Sequence, residues 1–311
     1  MNSKIKTIIG GVLAVAICGG FVLYFVMRDM TESSVIIEES PSTLTVDDPD
    51  VEVISVDPQV EIIGMSTLGR RIESYTFGTE LNSESKHLLF VGGIHGGYEW
   101  NSVVLAYDLI DYFTLNRESI PAHIQVTIIP SANPDGLYKV VGKEGDFTST
   151  DILPGVDQSI GRFNSKGVDL NRNFACKWSP ESSWRGVAVS AGTSAFSEPE
   201  AQAIRNFVLT HQPDMVAFWH SQGKAVFASE CENGILPETL DIMNIYATAS
   251  GYNPVESFDA YPITGDAEGW LASVGIPAVT VELSSHTAIE FEENLAGTKA
   301  LFEYYSEESP I

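Results

Sequence analysis

The chain has 311 residues, of which 44% are hydrophobic and 19% are charged, and this balance excludes a disordered chain and a coiled coil. Its 17 Lys and Arg against 42 Asp and Glu give a net charge of −25. Such a charge excludes nucleic-acid binding, because phosphate backbones are bound through clustered cations. Three cysteines exclude a disulfide scaffold and a thiolate-rich zinc finger.

The first predicted element is a membrane anchor. No residue of Thr7–Met27 is charged, and these 21 residues would reach about 31 Å as a helix, which is the thickness of a bilayer core. Lys4 and Lys6 precede the run and an acidic segment follows it, so the positive-inside bias puts the rest of the chain outside the cytoplasm. We therefore predict a single-pass anchor over residues 1–28 at the cell membrane, in contact with the lipid bilayer through residues 7–27. A cleaved signal peptide is the alternative.

Residues 29–59 are predicted to be an acidic flexible tether, because Pro, Ser, Thr and acids mix there without a helical or strand period. Beyond it, apolar runs with a strand pattern alternate with helical patterns. In chain order, strands are predicted over residues 87–94, 123–129, 215–219, 225–228 and 278–283, and helices over 99–116, 197–211, 236–249 and 290–306.

The helix over 197–211 is predicted to begin with a capping box formed by Ser197 and Glu200. Short buried strands that alternate with helices favour an α/β fold. We predict a single-domain sandwich over residues 60–311, with a mixed, largely parallel sheet flanked by helices.

Ionisable side chains follow two of the predicted strands. His95 comes directly after the first strand, Glu99 follows four residues later, and His220 ends another strand. Two imidazoles and a carboxylate, with a fourth position open to water, are the ligand set of catalytic zinc sites. The sequence therefore predicts one Zn²⁺ per chain, held by these three residues. The remaining histidines are predicted to be structural: His87, His123, His211 and His286.

Six segments carry a resemblance to a known family. They read, in chain order, GGIHGGYEWN, NPDG, GVDLNRNF, GTSAFSEPEAQAI, HS and TVELS. This series resembles the zinc carboxypeptidases of the carboxypeptidase A type, over residues 65–305. GRRI ahead of the series and R-x-N-x-x-GVDLNRNF within it also look like bacterial enzymes that trim peptidoglycan peptides.

The resemblance implies roles for individual residues. It implies that His95, Glu99 and His220 bind zinc. Glu282 matches the general base, and Arg162 matches the arginine that polarises the scissile carbonyl.

Four further positions match residues around the substrate or the metal. Asn171 and Arg172 match the pair that grips the terminal carboxylate of the substrate. Tyr261 matches the mobile tyrosine that covers bound substrate, and Asp169 matches an acid that orients a zinc-bound imidazole. Glu268 matches the position that lines the pocket for the terminal side chain, where an acid goes with a preference for Lys or Arg.

One motif departs from the family pattern, and one pairing is left open. The family spaces its first two ligands H-x-x-E, whereas His95 and Glu99 are spaced H-x-x-x-E. This difference predicts an extra residue in a flexible glycine turn. Cys176 and Cys231 lie in loops on elements expected to converge at the site, and they either pair outside the membrane or remain separate thiols.

Taken together, these observations predict a membrane-anchored, extracytoplasmic zinc carboxypeptidase. It would hydrolyse the last peptide bond of peptides and favour a basic terminal residue. The first alternative is a peptidoglycan peptide amidase that cuts beside diaminopimelate. The second, from a different class, is a tethered peptide-binding module without turnover.

Overall fold

The computed structural model describes residues 58–78 and 85–307. The predicted anchor and all but the end of the predicted tether lie outside these residues. Within the described part of the chain, no helix is both long and apolar enough to cross a bilayer.

Twelve strands and six α-helices make up the described fold. The strands are β1 (Gln59–Met65), β2 (Arg71–Phe77), β3 (Lys86–Val91), β4 (Ile124–Ile129), β5 (Glu181–Trp184), β6 (Val187–Ser190), β7 (Met215–Ser221), β8 (Ala225–Ala228), β9 (Glu230–Cys231), β10 (Gly234–Ile235), β11 (Asn253–Val255) and β12 (Ala278–Leu283). The helices are α1 (Trp100–Leu115), α2 (Pro134–Val141), α3 (Pro199–His211), α4 (Pro237–Ser250), α5 (Ala267–Ser273) and α6 (Phe291–Glu307).

Eight strands form one mixed sheet in the order β1-β2-β4-β3-β7-β12-β8-β11. The central strands β4, β3, β7 and β12 run parallel to one another, and β8 runs parallel to β11. The pairs β1 with β2, β2 with β4, and β8 with β12 are antiparallel. The prediction of an α/β fold with a mixed, largely parallel sheet is confirmed.

Helices cover both faces of this sheet because its central strands are apolar on both sides. In β7, Met215 and Trp219 pack in a core with α1, α4 and α6, whereas Val216 and Phe218 pack in a second core with α3 and α5. This alternation has the period of two that a strand imposes on its side chains. His220 continues the series of Val216 and Phe218, at the carboxyl end of the strand.

The predicted strands and helices are present, with boundaries shifted by up to three residues. The predicted capping box is wrong: α3 begins at Pro199, and its N-cap residue makes no side-chain capping bond. Ser197 Oγ instead donates to Glu198, and Glu200 accepts from the backbone of Thr67. The sequence prediction also missed the strands β1, β2, β9, β10 and β11, the β5–β6 hairpin, and the helices α2 and α5.

Candidate active site

Three polar side chains converge at the carboxyl ends of the parallel strands β3 and β7. His95 Nδ1 lies 2.8 Å from Glu99 Oε1 and 3.2 Å from His220 Nδ1, and His220 Nδ1 lies 3.1 Å from Glu99 Oε2. All three side chains are buried. The sheet therefore brings together the three residues predicted to bind zinc.

The extra residue between His95 and Glu99 is absorbed by a turn of 3-10 helix over Gly96–Glu99, directly before α1. Gly96 has φ of +47°, and a Cβ there would lie 2.7 Å from the carbonyl oxygen of Gly161. Only glycine fits this turn, because the backbone is in the left-handed region and the neighbouring backbone is too close. The turn points the Glu99 carboxylate back at His95, so the H-x-x-x-E spacing still forms a cluster.

Carboxylates face the far side of both imidazoles. His220 Nε2 donates to Glu268 Oε1 at 3.0 Å, and His95 Nε2 lies 3.6 Å from Asp169 Oδ1. A carboxylate at Nε2 favours the tautomer with its proton there and leaves the lone pair of Nδ1 free for a metal. Both Nδ1 atoms face the shared centre, and the hydrogen bond to Glu268 places the Nε2 proton of His220 on the far side from it.

The charges of the cluster favour a bound cation. Burial opposes ionisation of Glu99, but His95 and His220 outweigh it and hold the pKa of this carboxyl well below its usual range. Burial likewise disfavours a charged His220, but Glu99 and Glu268 outweigh it and raise the pKa of the imidazole.

The donor set fits zinc. Ligands about 2.0–2.1 Å from a tetrahedral zinc lie roughly 3.3 Å from one another. This is close to the 3.2 Å between the two imidazole nitrogens and to the 2.8 and 3.1 Å from each of them to a Glu99 carboxylate oxygen. Glu99 Oε2 is buried and makes no hydrogen bond within the part of the chain that the structure describes. Two imidazole nitrogens and one carboxylate leave a fourth position for water or substrate, as in catalytic rather than structural zinc sites.

Arg162 is tied to the metal cluster by Asp169. Its Nε and Nη2 donate to Asp169 Oδ2 at 3.1 and 2.9 Å, and its Nη1 lies 3.8 Å from Glu99 Oε1. Burial raises the pKa of Asp169, but Arg162 and His95 outweigh it and lower the pKa overall. Asp169 thus contacts both the predicted oxyanion-stabilising arginine and a metal-site imidazole.

Glu282 is paired in register with His220 across β12 and β7, so the two side chains share one face of the sheet. Burial, together with the charge of Glu99, raises the pKa of Glu282 to about 8. Among the described residues, none forms a hydrogen bond with its Oε2. This group can take up and release a proton near neutral pH.

Asn171 and Arg172 lie in a 3-10 turn over Leu170–Arg172, and both are buried beside the cluster. Arg172 donates to the carbonyl oxygens of Asn171 and Ser183. Asn171 Nδ2 donates to Glu268 Oε2 at 3.3 Å, and its Oδ1 accepts from the backbone of Ala267. These bonds fix both side chains in one orientation.

Glu268 makes contacts that its sequence position did not predict. Its Oε1 accepts from His220 Nε2 and, at 3.1 Å, from the Thr280 hydroxyl, and its Oε2 accepts from Asn171. The side chain is only 4% exposed. In this structure Glu268 is primarily a hydrogen-bond partner of a metal-site imidazole, although it borders the cavity.

A cavity of about 720 Å³ is lined by all of the predicted site residues described above except Asp169, which lies behind His95. Tyr261, predicted to cover the substrate, also lines this cavity and packs against Phe258 with ring centroids 4.9 Å apart. The metal cluster, the candidate base and the candidate docking pair therefore face one space large enough for a peptide end.

Sequence reasoning missed three residues on the cavity wall, Tyr98, Trp184 and His286. Trp184 belongs to the β5–β6 hairpin, and Arg162 lies 4.5 Å above its ring. Two signals in the sequence could have pointed to Tyr98 and His286: Tyr98 directly precedes the candidate ligand Glu99, and His286 follows Glu282 by four residues.

Cys176 and Cys231 form a disulfide with a Cα–Cα distance of 6.1 Å. The sequence left their pairing open, and the structure shows the bond. It joins the loop after Asn171 and Arg172 to β9.

Comparison with known proteins identifies the family. The zinc carboxypeptidase family matches residues 58–293, so the chain belongs to this family. Similar curated proteins include gamma-D-glutamyl-L-diamino acid endopeptidase 1 of Lysinibacillus sphaericus, with 26% identity over 67% of this chain and 57% of the relative. Carboxypeptidase B of Helicoverpa zea is 28% identical over 66% of this chain and 52% of the relative. The chain thus spans little more than half the length of these relatives.

Solved structures share the fold. The murein-tripeptide amidase of Escherichia coli O157 superposes with a TM-score of 0.56 at 22% identity, covering 80% of this chain and 92% of that one. Thrombin-activatable fibrinolysis inhibitor superposes with a TM-score of 0.63 at 19% identity, covering 81% and 72%.

Proposed function

We propose that the protein hydrolyses the peptide bond that precedes the carboxyl-terminal residue of a peptide. The observation that carries this proposal is one cavity that holds a zinc ligand cluster, a protonatable carboxyl at Glu282, and a cation and an amide at Arg172 and Asn171. A guanidinium and an amide are suited to a terminal carboxylate, which would set the scissile bond at the metal. The intact donor set argues against a binding module without turnover.

The residues of the chain divide the chemistry between them. His95, Glu99 and His220 would hold the zinc ion, which when bound would supply a Lewis acid that polarises a carbonyl and lowers the pKa of water. Glu282 accepts the proton of the attacking water and delivers it to the leaving amine. The Arg162 guanidinium stabilises the negative charge that develops on the carbonyl oxygen.

Glu282 suits this shuttle because burial and the Glu99 charge raise its pKa to about 8. A nearby dication favours the ionised carboxylate, which is the form that accepts a proton. Without the charge of the metal ion, Glu282 would therefore be protonated at neutral pH and could act only as an acid.

We further propose that the terminal side chain is preferably cationic. Asp266 lines the cavity next to Glu268, and burial together with the Glu268 charge raises the pKa of Asp266 to about 6. Two carboxylates so close repel each other, and this repulsion favours binding of an ammonium or guanidinium group beside them. Asp266 rather than Glu268 is the partner proposed here, since Glu268 is held by His220.

A second candidate is cleavage of peptidoglycan peptides beside diaminopimelate. The cavity wall carries both signs of charge, with Lys177 and Arg185 as well as Asp266 and Glu230. The side chain of diaminopimelate ends in an ammonium and a carboxylate on one carbon, so it would use both. The resemblance to a gamma-D-glutamyl-L-diamino acid endopeptidase supports this candidate.

The predicted location also remains a proposal. The uncharged run of residues 7–27 supports a single-pass anchor with the catalytic domain outside the cytoplasm. The disulfide between Cys176 and Cys231 supports an oxidising compartment.

One digestion experiment tests these proposals. The zinc-loaded protein is incubated with a panel of peptides ending in Lys, Arg, Leu or Phe and with peptidoglycan peptides containing diaminopimelate, and the products are identified by mass spectrometry. Release of single terminal residues, at least tenfold faster for Lys and Arg than for Leu, is the expected result. Cleavage of the diaminopimelate peptides alone would favour the second candidate, and cleavage of none would refute both.

A further inference from the structure

His286 lies on the wall of the catalytic cavity, in the loop after β12. Its ring packs against Tyr98 with centroids 4.5 Å apart, and Tyr98 packs against Trp184 at 5.2 Å. Arg162 lies over both of these aromatic rings, 5.8 Å from Tyr98 and 4.5 Å from Trp184. His286 therefore belongs to the wall that carries the carbonyl-polarising arginine.

A short chain of hydrogen bonds fixes the tautomer of His286. Asn101 Nδ2 donates to the carbonyl oxygens of Ser285 and Ala288, both at 2.8 Å, so Asn101 Oδ1 is left as an acceptor. It accepts from the Ser221 hydroxyl at 3.1 Å. A hydroxyl has one hydrogen to donate, so Ser221 Oγ must accept from Nδ1–H of His286 at 2.8 Å.

His286 therefore offers a lone pair on Nε2. This atom is buried, and no group in residues 58–78 and 85–307 forms a hydrogen bond with it. Burial also lowers the pKa of the ring, which keeps it neutral and leaves Nε2 an acceptor. A buried acceptor without a partner is costly, and at the wall of a substrate cavity it indicates a donor that arrives with the ligand.

We infer that His286 Nε2 accepts a hydrogen bond from a backbone N–H of the substrate on the amino side of the scissile bond. That side follows from the arrangement of the site: Asn171 and Asp266 are grouped at α5, whereas His286 contacts Tyr98 and Ser221. The inference rests on the proposed function, because the substrate must be a peptide. His286 is thus a substrate-binding residue, in contrast to the structural role predicted from the sequence.

The test compares peptides with analogues in which an ester oxygen replaces one backbone N–H. The first or the second N–H on the amino side of the scissile bond is replaced, so that the donor is lost while the shape is kept. Affinities are measured by calorimetry on the zinc-loaded Glu282→Gln protein, which leaves the ligand uncut, and kcat/KM is measured on the protein with Glu282 intact.

His286→Phe and His286→Gln are then introduced in both backgrounds. Phe retains the ring against Tyr98 but has no acceptor, whereas the amide oxygen of Gln can take the position of Nε2. With His286 present, we expect one of the two analogues to bind about tenfold more weakly than the parent peptide. His286→Phe should abolish this difference, and His286→Gln should restore part of it.

Each outcome separates the inference from the proposed function. Equal losses with His286 and with Phe, or no loss for either analogue, would overturn the inference while peptide cleavage stands. Dependence of binding on His286 without any hydrolysis would overturn the proposed function and leave the inference intact. A failure of all peptides to bind would overturn both.

Discussion

Replacing Glu268 by Gln distinguishes two roles for this residue. From its sequence position it would select basic terminal residues, whereas the structure has its carboxylate accepting a hydrogen bond from Nε2 of His220 at 3.0 Å. Gln has the same shape and can still accept that bond, so the substitution removes mainly the charge. If this contact orients the imidazole, removing the charge must also weaken zinc binding.

The magnitude follows from the bond that changes. A hydrogen bond to a charged group contributes about 1.5–3 kcal/mol and a neutral one about 0.5–1.5 kcal/mol, so the change weakens the support of His220 by roughly 1–1.5 kcal/mol. At about 1.4 kcal/mol per factor of ten, the Kd for zinc should rise about tenfold. Loss of such outer contacts costs about 10- to 100-fold in other metal sites, which agrees with this figure.

The assay measures zinc Kd by competition with a chelator, and kcat/KM for two substrates that differ only in a terminal Lys or Leu. Glu268→Gln should lower kcat/KM for both substrates by the same factor. Asp266→Asn is the matched control. Asn can still cap α5, and the substitution removes the charge next to Glu268 while the contact between Glu268 and His220 is kept. The control should leave zinc Kd unchanged and weaken only the Lys substrate. An unchanged zinc Kd for Glu268→Gln, with a loss confined to the Lys substrate, would refute the orienting role.

Three further predictions concern other parts of the structure. Glu282→Gln should lower kcat by about 10²–10⁴-fold with bound zinc retained, since Gln cannot accept the proton of water; near-normal kcat in steady-state assays would exclude Glu282 as the base. Burial lowers the pKa of His87 to about 4, so the stability it contributes should be complete above about pH 6.5 and be lost as the pH falls to 4. Between pH 6.5 and 4 the unfolding free energy should drop by about 3 kcal/mol more than it does in His87→Gln. If urea unfolding gives the same pH dependence for both proteins, this prediction is wrong. Replacing Cys176 and Cys231, 55 residues apart, by Ser should lower the unfolding free energy by about 2–4 kcal/mol, so an unshifted urea midpoint would argue against a stabilising bond.

The sequence was most informative where local pattern and burial coincide. The strand of His220 is buried throughout and the strand of Glu282 is mostly buried, so both were predicted within a few residues. The two strands are parallel, which brings their carboxyl ends together. The edge strand β1 was missed because most of its residues are exposed and show no clear alternation. Ser197 and Glu200 have the spacing of a capping box, but tertiary contacts with Glu198 and Thr67 take their side chains elsewhere.

The contacts that define the roles of Glu268 and His286 could not be predicted. Glu268 meets His220 across 48 residues, and the tautomer of His286 depends on Asn101, which lies at the other end of the domain in sequence. Neither relation leaves a periodic signal, because each depends on how separate elements pack. For the candidate ligand Glu99, in contrast, the sequence was sufficient. Its unusual spacing from His95 predicted an extra residue in a glycine turn, and the structure has such a turn at Gly96–Glu99.

The central claim is that zinc at His95, Glu99 and His220 is required for cleavage next to a terminal carboxylate. The most direct test measures bound zinc and release of a terminal lysine in the same samples of metal-stripped protein as zinc is added back. The account predicts no release from the stripped protein and activity that rises in proportion to zinc up to one ion per chain, with neither binding nor activity in His95→Ala or His220→Ala. Full activity in the stripped protein, or zinc bound at one ion per chain in both variants, would contradict it.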